Sequence, residues 1–194
     1  MKALVRILTC GVMALLVTSC ASSLTSPAPV GAKASSSPSK SDGASSSKPS
    51  SRERAIAERV FSLVNSERSR AGKHAIRGHY GLNRLAQKHS NYMGASSKAA
   101  NHLGSQNRAQ YAYLRYNIEN LSEMTYAVPS GSGDPASTAV AAWKNSASHR
   151  RHMLQSWDLT GIGVRAAPDG NTYVTMCLGA QLMGVPRSVQ PIGW

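Results

Sequence analysis

The stretch from Ala21 to Ser51 constrains this chain most, because it cannot fold. Its 31 residues are mostly Ser, Pro, Ala and Gly with scattered Lys, with no aromatic residue and almost no large aliphatic one. Such a segment buries too little apolar surface to offset the entropy of ordering it. A disordered tether averaging roughly 30 Å end to end is expected here. A folded core must therefore come from Arg52–Trp194, which is of ordinary single-domain size.

The residues before the tether read as an export signal. Lys2 and Arg6 precede an apolar run from Ile7 to Val17, which closes on Val17-Thr18-Ser19-Cys20. The run is too short for a retained membrane-spanning helix. The closing tetrapeptide resembles a bacterial lipobox, which implies cleavage before Cys20 and acylation of that cysteine. An ordinary signal with a chance cysteine is the alternative. The expected organisation is thus a signal at 1–19, lipidated Cys20 with its tether over 20–51, and one domain over 52–194, held outside the cytoplasm as a membrane-anchored envelope lipoprotein. Several acyl chains on one cysteine would anchor firmly where a single chain would not.

The formal net charge is +13. Removing Lys2 and Arg6 with the signal, and Lys33, Lys40 and Lys48 against Asp42 with the tether, leaves the domain at +9. A basic domain outside the cytoplasm meets anionic lipid or envelope polymer before nucleic acid. No nucleic-acid motif is present, and one Phe offers little for base stacking, so nucleic acid is not an expected partner. A monomer is expected. Of the three cysteines, Cys10 leaves with the signal and Cys20 carries lipid, so Cys177 is the domain's only thiol. No internal disulfide can form, and packing alone must hold the core. Cys177 alternates with neighbours in a strand-like run, which favours an inert buried thiol over a nucleophile.

Periodicity supplies the elements. Ser50 with Glu53 forms a capping box ahead of an apolar stripe at Ile56, Val60, Leu63 and Val64, a first helix ending near Gly72. Leu82, Leu85, Ala86, His89 and Met93 make a second stripe with His89 on its buried face. Asp134-Pro135 starts a helix that carries Val140 and Trp143 inward. The run Ser146-Ala147-Ser148 then breaks the periodicity, and a further helical pattern with Met153 and Leu154 turned inward begins at His149. An imidazole near a helix N-terminus is pushed toward its neutral, ligand-competent form; the alternative is that His149 only caps and packs this junction. Ile162 and Val164, a turn at Pro168-Asp169-Gly170-Asn171, and Tyr173–Leu178 read as a hairpin. Helices with a hairpin imply an α+β layered domain.

Trp143, Ser146, His149, Arg150 and Leu154, followed by Ile162-Gly163-Val164, resemble the second half of a bacterial CAP domain, of the SCP-like superfamily of cysteine-rich secretory proteins, antigen 5 and pathogenesis-related 1 proteins. The first half agrees in Leu63-Val64-Asn65-Ser66-Glu67-Arg68, Gly72, Leu82, Leu85, Ala86, His89, Ser90, Met93 and His102. Ile118-Glu119-Asn120-Leu121 falls where that family carries Gly-Glu-Asn. The resemblance covers roughly Arg52 to Ala180 and implies a single three-layer α-β-α sandwich.

It also implies a cleft lined by two histidines and two acids that often holds a divalent metal. His102, Glu119 and His149 match, whereas Ser146 stands where many members place the second Glu. Weak zinc binding by His102, Glu119 and His149 is the resulting expectation, with an open fourth position. Ile118 before Glu119, Met176 on the strand and His152 are further departures. His152, three residues past His149, is read as exposed among arginines or as a compensating ligand. Two functions follow: a module that binds a lipid, wall fragment or protein partner in a cleft of His102, Glu119, His149 and Ser146, or a hydrolase of wall peptide or glycan working through His149 and Glu119. No elbow motif or orienting third group marks an activated serine.

Overall fold

The computed structural model describes residues 48–96 and 99–182. The signal, Cys20 and the tether up to residue 47 lie outside the described residues. Helix α1 (Ser51–Arg70) opens with the expected capping box: Ser50 Oγ accepts from Glu53 N at 3.2 Å while Glu53 Oε2 accepts from Ser50 N at 2.7 Å. The other Glu53 oxygen accepts from Ala166 N at 2.8 Å, so the cap also ties the helix to a strand. The following elements are β1 (Arg77–Gly78), α2 (Tyr80–Ser96), α3 (Ser105–Tyr116), β2 (Ile118–Val128), α4 (Pro135–Asn145), α5 (Ala147–Leu154), β3 (Leu159–Ala166) and β4 (Thr172–Gln181).

The strands form one sheet in the order β1-β3-β4-β2. β3 and β4 pair antiparallel as the expected hairpin, with Gly170 at φ 84° in its turn. Strand β2 pairs antiparallel with β4, and β1 runs parallel to β3 over two residues. Alternation along the strands sends Met124, Val128, Val164, Val174, Met176 and Leu178 to one side, where Ile56, Val60, Val64, Val140, Trp143 and Met153 from α1, α4 and α5 meet them. Ile118, Leu159 and Cys177 face the other way, against Leu82 and Ala86 of α2 and Ala112 of α3. The result is the three-layer α-β-α sandwich.

Helix α2 lies directly on β3. A Cβ at Gly161 would sit 2.0 Å from the Leu82 carbonyl carbon and one at Gly163 would sit 2.2 Å from Gln87 N, so only glycine permits this approach. Closeness has a second effect. β1 covers β3 only at Leu159 and Thr160, which leaves the strand's next polar groups exposed at an edge. Side-chain amides of α2 take their place: Asn83 Oδ1 accepts from Ile162 N at 2.9 Å, and Gln87 both accepts from Val164 N at 3.1 Å and donates to Val164 O at 2.6 Å.

Trp143 is fully buried, and its indole N–H donates to Thr125 O at 3.3 Å. Arg68, also buried, donates to the carbonyls of His74, Met153 and Gln155, joining the end of α1 to the end of α5. Cys177 is buried, and burial pushes its thiol pKa far up, which makes it inert.

Candidate functional site

Glu123 is the centre of a connected polar cluster. It lies on β2, and its side chain is 5% exposed. Its position opposite Cys177 turns it toward α2 and α3 rather than toward the core beneath Trp143. Arg108 of α3 grips it with two bonds, Nε to Oε2 at 2.7 Å and one terminal nitrogen to Oε1 at 2.8 Å. His102, half exposed on the loop between α2 and α3, donates from Nδ1 to Oε1 at 3.0 Å.

That loop is held from below. His89, on the inward face of α2 as its spacing predicts, donates from Nε2 to Asn101 O at 2.8 Å, and Asn101 Oδ1 in turn accepts from Leu103 N at 3.0 Å. His89 is thus a satisfied buried histidine that positions its neighbour His102. Burial pushes its pKa down, against the Asn101 bond and the nearby Glu123 charge, which favour protonation.

His149 is the third residue of α5, whose cap is Ser146; Ser146 Oγ accepts from His149 N at 3.5 Å. Its pKa is lowered, first by burial and then by the charges of His102 and His152. His152 is partly buried rather than exposed, and its Nδ1 lies 3.1 Å from Ser122 Oγ on β2. Because β2 is an edge strand, groups from α3 and α5 reach it from opposite faces. Glu119 is exposed at the register shift between Ile118 and Asn120. The carboxylate that meets His102 is Glu123, four residues further along the strand.

The Glu123 carboxylate is not free to take up a zinc ion. Glu123 has both oxygens on Arg108, and a guanidinium sits where a second cation would have to approach. Among the described residues no three His, Cys, Asp or Glu side chains are grouped for a metal. A hollow of about 490 Å³ opens between α2 and α3 beside the cluster, with Leu85, His89, Tyr92, Leu103, Arg108 and Tyr111 among its walls.

The family model described as "Cysteine-rich secretory protein family" (CAP) matches residues 61–178, which spans both halves of this arrangement. The chain belongs to the CAP family. Solved structures agree with this CAP fold at low identity. An outer surface protein of Borrelia burgdorferi aligns with TM-score 0.57 and 16% identity over 66% of this chain and 95% of its own. An extracellular protein containing an SCP domain from Bacillus anthracis aligns with TM-score 0.55 and 20% identity over 66% of this chain. A cysteine-rich secretory protein from Staphylococcus aureus gives TM-score 0.54 and 17% identity over 69%. Each of the last two is matched over 41% of its own length, so this chain spans well under half of them. No curated protein sequence matches the chain significantly.

Proposed function

We propose that this CAP domain is a binding module displayed outside the cytoplasm, holding a lipid, wall fragment or protein partner at the cleft around His102, Glu123 and His149. The observation that carries the reading is the bidentate Arg108–Glu123 pair. A carboxylate spent on a guanidinium and an imidazole fixes shape and polarity, but it is a poor general base. Ser146, the other polar candidate, is engaged as a helix cap. The test is organic-solvent extraction of the purified full chain, followed by mass spectrometry. A stoichiometric co-purifying molecule that is lost on His102→Ala supports the module; an empty extract, with no retention from envelope fractions, refutes it.

Display follows from the signal and Cys20. Acylation at Cys20 would hold the domain on a short tether above a bilayer. Cys20→Ser is expected to release the protein from detergent-extracted membranes into the soluble fraction, and a variant that stays membrane-bound would overturn the lipoprotein reading.

A hydrolase of wall peptide or glycan is the second reading. His149 with Glu119 was its expected machinery, and the contact that favours it now is Ser122 Oγ to His152 Nδ1 at 3.1 Å. A serine–histidine pair is the minimum for acyl transfer. If purified protein releases soluble fragments from envelope preparations and Ser122→Ala abolishes that release, the enzyme reading replaces the binding one.

A further inference from the structure

We infer that the face formed by α2, α3 and the loop between them docks on an anionic phospholipid bilayer. This goes beyond the cleft reading and requires neither a ligand at His102 nor an acyl group at Cys20.

Three observations converge on this face. The large hydrophobic residues that remain exposed among the described residues are Tyr80, Tyr92, Leu103, Tyr111, Tyr113 and Leu114, and all six belong to α2, α3 or their connecting loop. Leu103 and Leu114 are 65% and 66% exposed, which a domain surrounded only by water has no reason to concentrate in one region. Charge is the second observation. Residues 80–116, which make up α2, α3 and their connection, hold no Asp or Glu but five Lys and Arg. Neither α2 nor α3 carries an acid, and the nearby Glu123 is buried and neutralised by Arg108.

The third observation is spacing. Tyr80, Arg84, Lys88 and Tyr92 recur at i, i+4, i+8 and i+12, so they line one stripe of α2, and all four are exposed. Arg84 lies over the Tyr80 ring at 5.8 Å. Tyrosines at the ends of a basic stripe, with leucines projecting beside it, match the chemistry of the headgroup layer, where an amphipathic ring and a cation are both satisfied. A second copy of this chain would bring two basic faces together, which disfavours self-association.

The test uses the full chain carrying Cys20→Ser, so that no acyl group forms at that position, and measures co-flotation with vesicles. Vesicles containing 30% phosphatidylglycerol in phosphatidylcholine should bind it at low salt, and pure phosphatidylcholine vesicles should not. Arg84→Glu with Lys88→Glu should lower the partition coefficient by about 30-fold or more, because each basic residue near an anionic surface is worth roughly a factor of five and reversal adds repulsion. Leu103→Ser with Leu114→Ser should weaken binding and leave its salt dependence unchanged. Both double variants alter exposed side chains, and unchanged thermal midpoints would show that they fold. Equal binding by wild type and the charge-reversed variant, or equal binding to neutral vesicles, overturns the proposal. Binding that the leucine substitutions leave untouched would mark the face as a plain cation surface for a soluble anionic polymer and would also overturn it.

Discussion

Removing the charge of Glu123 without changing its shape should destabilise this domain severely. Glu123→Gln keeps one acceptor oxygen and replaces the other with an amide that donates toward Arg108. The side chains of Glu123 and Arg108 are 5% and 14% exposed, so the guanidinium would stay largely out of water without its counter-charge. Breaking a buried pair from one side costs about 3–5 kcal/mol, and the residual exposure of Arg108 puts the expected loss near the lower end, about 3 kcal/mol. Replacing both partners, Glu123→Met with Arg108→Met, removes two desolvated charges together and should cost about 1 kcal/mol or less. Urea denaturation of wild type, both single variants and the double variant gives the coupling energy directly. A Glu123→Gln variant within about 0.5 kcal/mol of wild type, or a double variant whose loss equals the sum of the singles, would refute the pair as the clasp of the cleft.

Trp143→Ala removes a fully buried indole and its bond to Thr125, with an expected loss of about 3–5 kcal/mol; a thermal midpoint that hardly moves would refute the packing. Gly163→Ala would push a methyl group to 2.2 Å from Gln87 N and 2.3 Å from the Ala86 carbonyl carbon, so α2 must lift from β3, at about 3 kcal/mol by chemical denaturation; wild-type stability would show that the helix is not seated there. His89 has a folded-state pKa lowered by burial, so the unfolded chain takes up the proton first as pH falls below about 6.5. Its contribution is complete above that pH and is lost toward acid, by at most about 1.4 kcal/mol per pH unit. His89→Gln, which keeps a donor for Asn101 O, should therefore show a shallower fall in urea midpoint between pH 7.5 and 5.5, and parallel slopes would exclude the effect.

The helices whose buried faces repeat were legible from sequence. α1 declared its start through Ser50 and Glu53 and its core face through Ile56, Val60 and Val64. α4 declared its start through Asp134-Pro135 and its core face through Trp143. The hairpin declared itself through Pro168–Asn171. Neither α3 nor β2 did. Ser105–Tyr116 buries only Ala112 and exposes Tyr111, Tyr113 and Leu114, so it has no apolar stripe to read. Its C-cap Asn117 sits in the left-handed region at φ 54°, a stop signal that is weak in a residue other than glycine.

β2 explains why Glu123, the carboxylate that meets His102, was not legible in the sequence. A motif fixes Glu119 by its neighbours in sequence, whereas a strand assigns side chains to faces by parity. The register shift between Ile118 and Asn120 then breaks that parity at the motif itself. Beyond the shift, Leu121 and Glu123 point toward α2 and α3, and Ser122 and Met124 point toward α4 and α5. Reading Leu121–Val128 as one strand would have shown an acid on an inward face, in a chain with only nine acids, and such an acid needs a basic partner. Arg108 could not have been named as that partner from sequence, because it lies on the helix with no readable buried face. The same missing stripe that hid α3 therefore hid the ion pair, and the exposed tyrosines and leucine that left α3 unreadable as a core helix are those that equip it to meet a bilayer.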